Sequence, residues 1–214
     1  MRFLITAGPT REPIDPVRYI SNRSSGKMGY AIAEGVIEAG HEVVLICGPV
    51  DVDRPRGAAV ISVSTSDEMF DAVNKHVRNC DILVMCAAVA DYKPAKVSKS
   101  KLKKRGESIS LELVPTRDIL QSLPRDRQYL VVGFAAETEN LESNAQKKLR
   151  DKNCDIIVAN DARIGMESDE NEVAILFRDG ETKRISRAPK KIISRDLVKI
   201  FEDYFEKRLT KKKQ

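Results

Sequence analysis

The chain has 214 residues, 42% hydrophobic and 32% charged, which is enough apolar content for one substantial core and too much for a disordered chain. No apolar run reaches the roughly 18 residues of a membrane span, and the first eight residues read as a strand, not a secretory leader, so the expected address is the cytoplasm. Five of the 37 basic residues (Lys207, Arg208, Lys211, Lys212 and Lys213) fall at the very end, and the rest are balanced by 32 acidic residues. The net charge of +5 therefore belongs to the last eight positions, of which 209–214 are expected to fray as a basic tail, and not to a groove; with no Trp and 5% aromatic residues this argues against a nucleic-acid surface.

In chain order, residues 3–7 are apolar on both sides, as a central parallel strand requires. A long Pro-rich loop follows, then Met28, Ala31, Ile32, Gly35, Val36 and Ala39 recur at helical spacing before Gly40 closes the helix. Strands are predicted over 42–47 and 59–63. A helix capped by Thr65 with Glu68 buries Met69, Phe70, Val73 and Val77, and a strongly apolar strand covers 81–86. This alternation predicts an α/β, Rossmann-like doubly wound, mostly parallel sheet.

The pattern lapses over 87–106, where seven Lys and Arg residues crowd a loop, and the alternation of 108–114 reads as a half-exposed strand. A short helix spans 118–123, a strand 129–134, a helix carries Leu141, Ala145 and Leu149, and a strand spans 155–159. A terminal hairpin (172–177 with 182–185, turning at Asp179-Gly180) and a final helix complete one domain over 1–208. Cys47, Cys80, Cys86 and Cys154 contain no Cys-x-x-Cys pair and read as buried small hydrophobes of a reducing compartment; with only His41 and His76, a metal cluster has little to draw on.

The loop Ser21-Asn22-Arg23-Ser24-Ser25-Gly26-Lys27-Met28-Gly29 places polar, Gly-punctuated backbone on a helix N-terminus, which suits an anion. Gly26-Lys27 is followed by Met28 and preceded at the fifth position by Ser21, so it is no P-loop. Gly8 lies too far from Gly26 for a dinucleotide fingerprint. The other clusters that follow strands or sit in loops are 87–92, 101–104 and 133–138, and the ends of parallel strands bring several of these to one crevice. Taken singly each has a plainer reading: Asn22 and Asp91 as turn residues, the lysine run as a solvated loop, Phe134 as core, and Lys148 and Lys152 as surface lysines.

Taken together these motifs are recognisable. The run from Ile5 to Gly29, Cys86-Ala87-Ala88-Val89-Ala90-Asp91-Tyr92, Lys101-Leu102-Lys103-Lys104, Gly133-Phe134-Ala135-Ala136-Glu137-Thr138 and Ala159-Asn160-Asp161 closely resemble phosphopantothenate–cysteine ligases (phosphopantothenoylcysteine synthetases) of coenzyme A biosynthesis, over about 2–205. The resemblance implies a homodimer acting on CTP, 4'-phosphopantothenate and L-cysteine with Mg²⁺, through an acyl-cytidylate that cysteine converts to an amide with release of CMP. It implies that Asn22 holds the acyl-nucleotide, that Arg18 supports the acyl substrate, and that Ser24, Ser25, Gly26 and Lys27 form the substrate-facing helix start. Lys101 would serve the second half-reaction. Met85, Cys86, Ala87, Asp91, Phe134, Lys148 and Lys152 would contact the nucleotide, the two lysines through its triphosphate, and the partner of Asp91, base or ribose, stays open.

Two departures stand out. Arg117-Asp118-Ile119-Leu120 occupies the family's Pro-Asp-Ile segment at the nucleotide pocket, and Met166-Glu167 precede Ser168-Asp169-Glu170-Asn171 where a Phe is usual. No flavin decarboxylase domain precedes Met1, so the resemblance implies the free-standing form, working with a separate phosphopantothenoylcysteine decarboxylase. Metal ligands are not assigned. ATP in place of CTP, or a nucleotide-binding module without catalysis, are the alternatives.

Overall fold

A computed structural model describes the chain except Arg105, Glu107, Thr138, residues 162–167 and residues 213–214. The expectations that fall on Thr138, Met166 and Glu167 lie outside the described residues. An eight-stranded sheet organises the rest. Its strands are β1 (Arg2–Ala7), β4 (Glu42–Cys47), β5 (Ala59–Ser62), β6 (Ile82–Met85), β9 (Leu130–Glu137), β10 (Ile156–Asp161), β11 (Glu170–Phe177) and β12 (Thr182–Pro189). The spatial order is β5-β4-β1-β6-β9-β10-β11-β12. Neighbours from β5 to β10 pair in parallel, and β11 and β12 extend the edge as the antiparallel hairpin that the turn residues specify. The doubly wound sheet is as expected, and its order reverses between β1 and β6. Ligands of such sheets bind beyond the strand ends at that reversal.

Helices cover both faces. On one, α1 (Lys27–Glu38) and α5 (Lys190–Lys212) bury Tyr30, Ile32, Ala33, Val36, Ile193, Leu197 and Phe201 against Phe3, Ile5 and Val84. On the other, α2 (Ser66–His76), α3 (Ile119–Ser122) and α4 (Leu141–Asp151) bury Met69, Val73, Ile119, Ala145 and Leu149 against Leu4, Leu83 and Val131. The alternation of each strand thus feeds two separate apolar layers. Gly29 allows α1 to lie close on β1, because a Cβ there would sit 2.6 Å from that of Ala7.

Two expectations need correction. The alternating stretch 108–114 forms a strand only over β8 (Leu113–Pro115), which pairs with β7 (Tyr92–Pro94) in a small ribbon, and Ile109 and Leu111 remain exposed. Its periodicity was not enough to make a strand without a longer partner. At the other end, the expected tail does not fray from Leu209: α5 continues through Lys212. Buried Phe205 anchors that last stretch, and Arg208 donates to the carbonyls of Arg127 and Tyr129 and pairs with Asp155 at 3.2 Å. All four cysteines are free. Burial pushes the thiols of Cys80, Cys86 and Cys154 up to about 12, which suits packing and not nucleophilic work.

Candidate active site

The Pro-rich loop after β1 is a pinned structure. Its strands β2 (Glu12–Pro13) and β3 (Tyr19–Ile20) pair antiparallel. Buried Glu12 accepts from the Ser66 amide at the start of α2 (2.8 Å), and Thr10 Oγ1 accepts from the Ala90 amide (3.0 Å). At the reversal of strand order, Ala88 donates to the Gly8 carbonyl and accepts from the Thr10 amide, so the loops after β1 and β6 are stitched together. Asn22 stands on this seam. Its Nδ2 donates to the Ala88 carbonyl (2.5 Å) and its Oδ1 accepts from the Ser24 amide (3.1 Å). Two hydrogen bonds fix its rotamer, as a residue that orients a reacting group requires.

Asp15 forms a second knot. Its side chain is buried. It accepts from the amides of Val17 (2.8 Å), Arg18 (2.9 Å) and Leu102 (3.1 Å) and pairs with the Arg18 guanidinium at 2.5 Å. The Arg18 hydrogen bond, helped by those amides, holds the Asp15 carboxyl well below the usual carboxylate range against the opposing effect of burial. Arg18 also donates to the Leu102 carbonyl (2.6 Å). The expected substrate residue Arg18 therefore braces the loop that carries Lys101, and the Lys101 side chain itself is exposed beside this brace.

Two cavities flank the end of β6. The larger, about 530 Å³, lies on the α2/α4 side and is lined by Met85, Asp91, Arg117, Asp118, Ile119, Leu120, Lys148 and Lys152 among others. Its lysines already have partners: Lys148 Nζ donates to the Phe134 carbonyl (2.7 Å), and Lys152 pairs with Asp118. Burial pushes the Lys148 ammonium below the usual lysine value. Asp118 also caps α3 by accepting from the Gln121 amide (2.9 Å). Arg117, the replacement for the family's Pro, is held by Asp67 and Asp71 and lies 4.0 Å over the Phe70 ring, so it fastens this wall to α2.

The smaller cavity, about 90 Å³, lies on the α1/α5 side, and among its lining residues are Ser24, Ser25, Gly26, Lys27, Cys86 and Phe134. Gly26, at φ +75°, starts α1 with no side-chain cap, so the first amides of the helix are left for a ligand. Met85 and Cys86 are consecutive, and strand alternation sends them to opposite sides. Ala87 stays at the strand end, its amide donating to Thr6 Oγ1 (3.1 Å). Sequence reasoning missed Asn160, Asn171 and Lys190 in this cavity. Asn160 stood in a recognised motif. Lys190 carried no signal, being one basic residue of a Lys-Lys pair after a hairpin.

This doubly wound sheet has an anion-suited helix start at the strand reversal, the place where such sheets bind their ligands. The family described as DNA/pantothenate metabolism flavoprotein C-terminal domain matches residues 1–204, and the chain belongs to that family. It is 44% identical over 200 residues to the Coenzyme A biosynthesis bifunctional protein CoaBC of Bacillus subtilis (strain 168), a match covering 91% of this chain and 49% of that protein. With the CoaBC protein of Escherichia coli (strain K12) it shares 44% identity over 189 residues, 85% of this chain and 47% of the relative. The chain thus spans about half the length of these curated relatives. A solved C-terminal domain of CoaBC superposes with a TM-score of 0.84 at 42% identity over 96% of each chain. A Cab2 mutant (H337A) complexed with phosphopantothenate-cysteine shares the fold, with a TM-score of 0.82 at 15% identity over 100% of this chain and 89% of that one.

Proposed function

We propose that this chain is a phosphopantothenate–cysteine ligase acting in coenzyme A biosynthesis. One observation carries the reading: a cavity of nucleoside size and one of phosphate size flank the end of β6, with Asn22 fixed on Ala88, which lines the smaller one. In the first half-reaction a carboxylate oxygen of 4'-phosphopantothenate attacks the α-phosphorus of CTP, and pyrophosphate leaves. In the second, the amino nitrogen of L-cysteine attacks the acyl carbon, loses its proton, and CMP leaves.

The residues divide along the same line. Asp91 and the Arg117–Leu120 wall face the nucleoside, the start of α1 takes phosphate, and Asn22 orients the acyl-nucleotide. Lys101, on the braced loop, steadies the charge that develops as cysteine attacks. Mg²⁺ would accompany the triphosphate, whose oxygens are the hard donors such an ion takes. When bound it would offset phosphate charge during the first step.

The reading extends to assembly and setting. Tyr92, Ile109, Leu111 and Leu113 expose apolar surface on and beside the β7–β8 ribbon, which supports a homodimer closing over it. Among the described residues no helix is long and apolar enough to cross a membrane. By the family resemblance the reaction belongs in the cytoplasm, with the product passing to a phosphopantothenoylcysteine decarboxylase. The test is a nucleotide panel with phosphopantothenate, cysteine and Mg²⁺. Pyrophosphate and CMP should appear with CTP. ADP-free release of AMP with ATP alone would reassign the nucleotide, and no release with any triphosphate would sink the ligase.

A further inference from the structure

Lys190 opens α5, more than 160 residues along the chain from the loop it faces. It is 6% exposed, lines the small cavity, and among the described residues its ammonium has no hydrogen-bond or ion-pair partner. The nearby Asp169 carboxylate is taken at 2.6 Å by Lys27, while the Asp169 carbonyl accepts from the Lys190 amide and fixes the backbone there. An ammonium on so enclosed a side chain, with no acceptor among the described residues, is available to an anion that enters the cavity. Burial, and then the like charge of Lys27, lowers the Lys190 pKa against the smaller opposing effects of Cys86 and Asp169. Opposite Lys190 stand the uncapped amides of α1, which suit the same anion.

We propose that Lys190 is a phosphate-binding residue, its ammonium contacting the oxygens of a phosphate group seated on the first turn of α1. Only the origin of that phosphate, nucleotide or acyl substrate, rests on the ligase reading. The cavity's 90 Å³ is the size of such a group.

Calorimetric titration of the full chain with tripolyphosphate and, separately, with 4'-phosphopantothenate tests it. Lys190→Met should weaken binding of one of them about 10- to 100-fold, the effect of one charge-assisted hydrogen bond. Its unliganded melting temperature should stay close to that of the parent, because the ammonium it removes has no partner among the described residues. Lys190→Arg, which keeps the charge, should retain binding, and Lys191→Met, which removes a lysine paired with Glu38, should not alter it. Loss toward tripolyphosphate assigns the nucleotide, and loss toward phosphopantothenate assigns the acyl substrate. Parent-like binding of both by Lys190→Met, or no binding of either by the parent, overturns the proposal. Ligase turnover with Lys190-independent binding overturns this inference alone, whereas Lys190-dependent binding without turnover overturns the ligase reading alone.

Discussion

The two loops that carry the proposed chemistry are built on opposite principles. The loop holding Asn22 is stitched at three points to two other parts of the molecule, through Glu12 to α2, and through Thr10 to Ala90 and Asn22 itself to Ala88 in the loop after β6. The loop holding Lys101 is moored to it through Leu102, on the Asp15–Arg18 knot, with one further tie where the Ser98 amide donates to the Ile14 carbonyl. A rigid frame suits the step in which two anions must be aligned for attack. A loop on a short mooring suits a residue that acts after one product has left and another substrate has entered. The contrast predicts that disturbing the first loop harms both half-reactions, while disturbing the second harms only the later one.

The largest expected effect follows from the frame. Asn22→Ala should slow pyrophosphate release and amide formation together, by about 10²- to 10³-fold, the usual consequence of losing a fixed hydrogen-bonding group at a reacting centre. Rapid-quench measurement of both products checks it, and an unaltered first step would break the contrast. Next in size, Lys101→Gln should leave pyrophosphate release near the parent rate while amide formation falls about 10²-fold. Equal loss of both would remove its assignment to the second step.

A smaller effect is expected at the mooring. Asp15→Asn keeps the size but loses the charge that binds Arg18, so amide formation should drop about tenfold. Limited proteolysis should then cut the 98–104 loop faster, and an unchanged cutting rate would show that the knot does not restrain it. The smallest effect concerns pH. The Asp15 carboxyl titrates lower in the folded chain than unfolded, so its contribution to stability is fully present above the ordinary carboxylate value, about 3.9, and is lost as pH falls toward the folded value. Carbonyl-detected NMR should show the Asp15 resonance flat between pH 7 and 4. A midpoint inside that range would mean that the knot opens in mild acid.

Much of this was legible in the sequence because the signals were local and mutually consistent. The apolar runs at 3–7 and 81–86 could only be buried parallel strands, and Thr65 with Glu68 marked a helix start that the structure caps through Thr65 Oγ1. The stretch 108–114 misled because alternation shows only that one face differs from the other, and pairing stops at Leu113 for want of a longer partner. The site was legible as motifs but not as a shape. Nothing local says that Met85 and Cys86 serve different cavities, that Arg18 turns to Asp15, or that Lys148 and Lys152, expected at a triphosphate, line the larger cavity with Asp91. Lys190 was hidden for the same reason: its meaning comes from tertiary packing of α5 on α1.

That packing also sets an order in time. Because α5 follows every other element that lines the two cavities, a nascent chain holds Asn22, Lys101 and the wall of Asp91 and Arg117–Leu120 well before the second wall of the proposed phosphate crevice exists. An unfinished chain then has the parts to assemble its sheet but lacks one side of an anion site, so it should not sequester substrate phosphates while still being made. Stalled chains ending before Lys190 that bound tripolyphosphate as tightly as the released protein would contradict this.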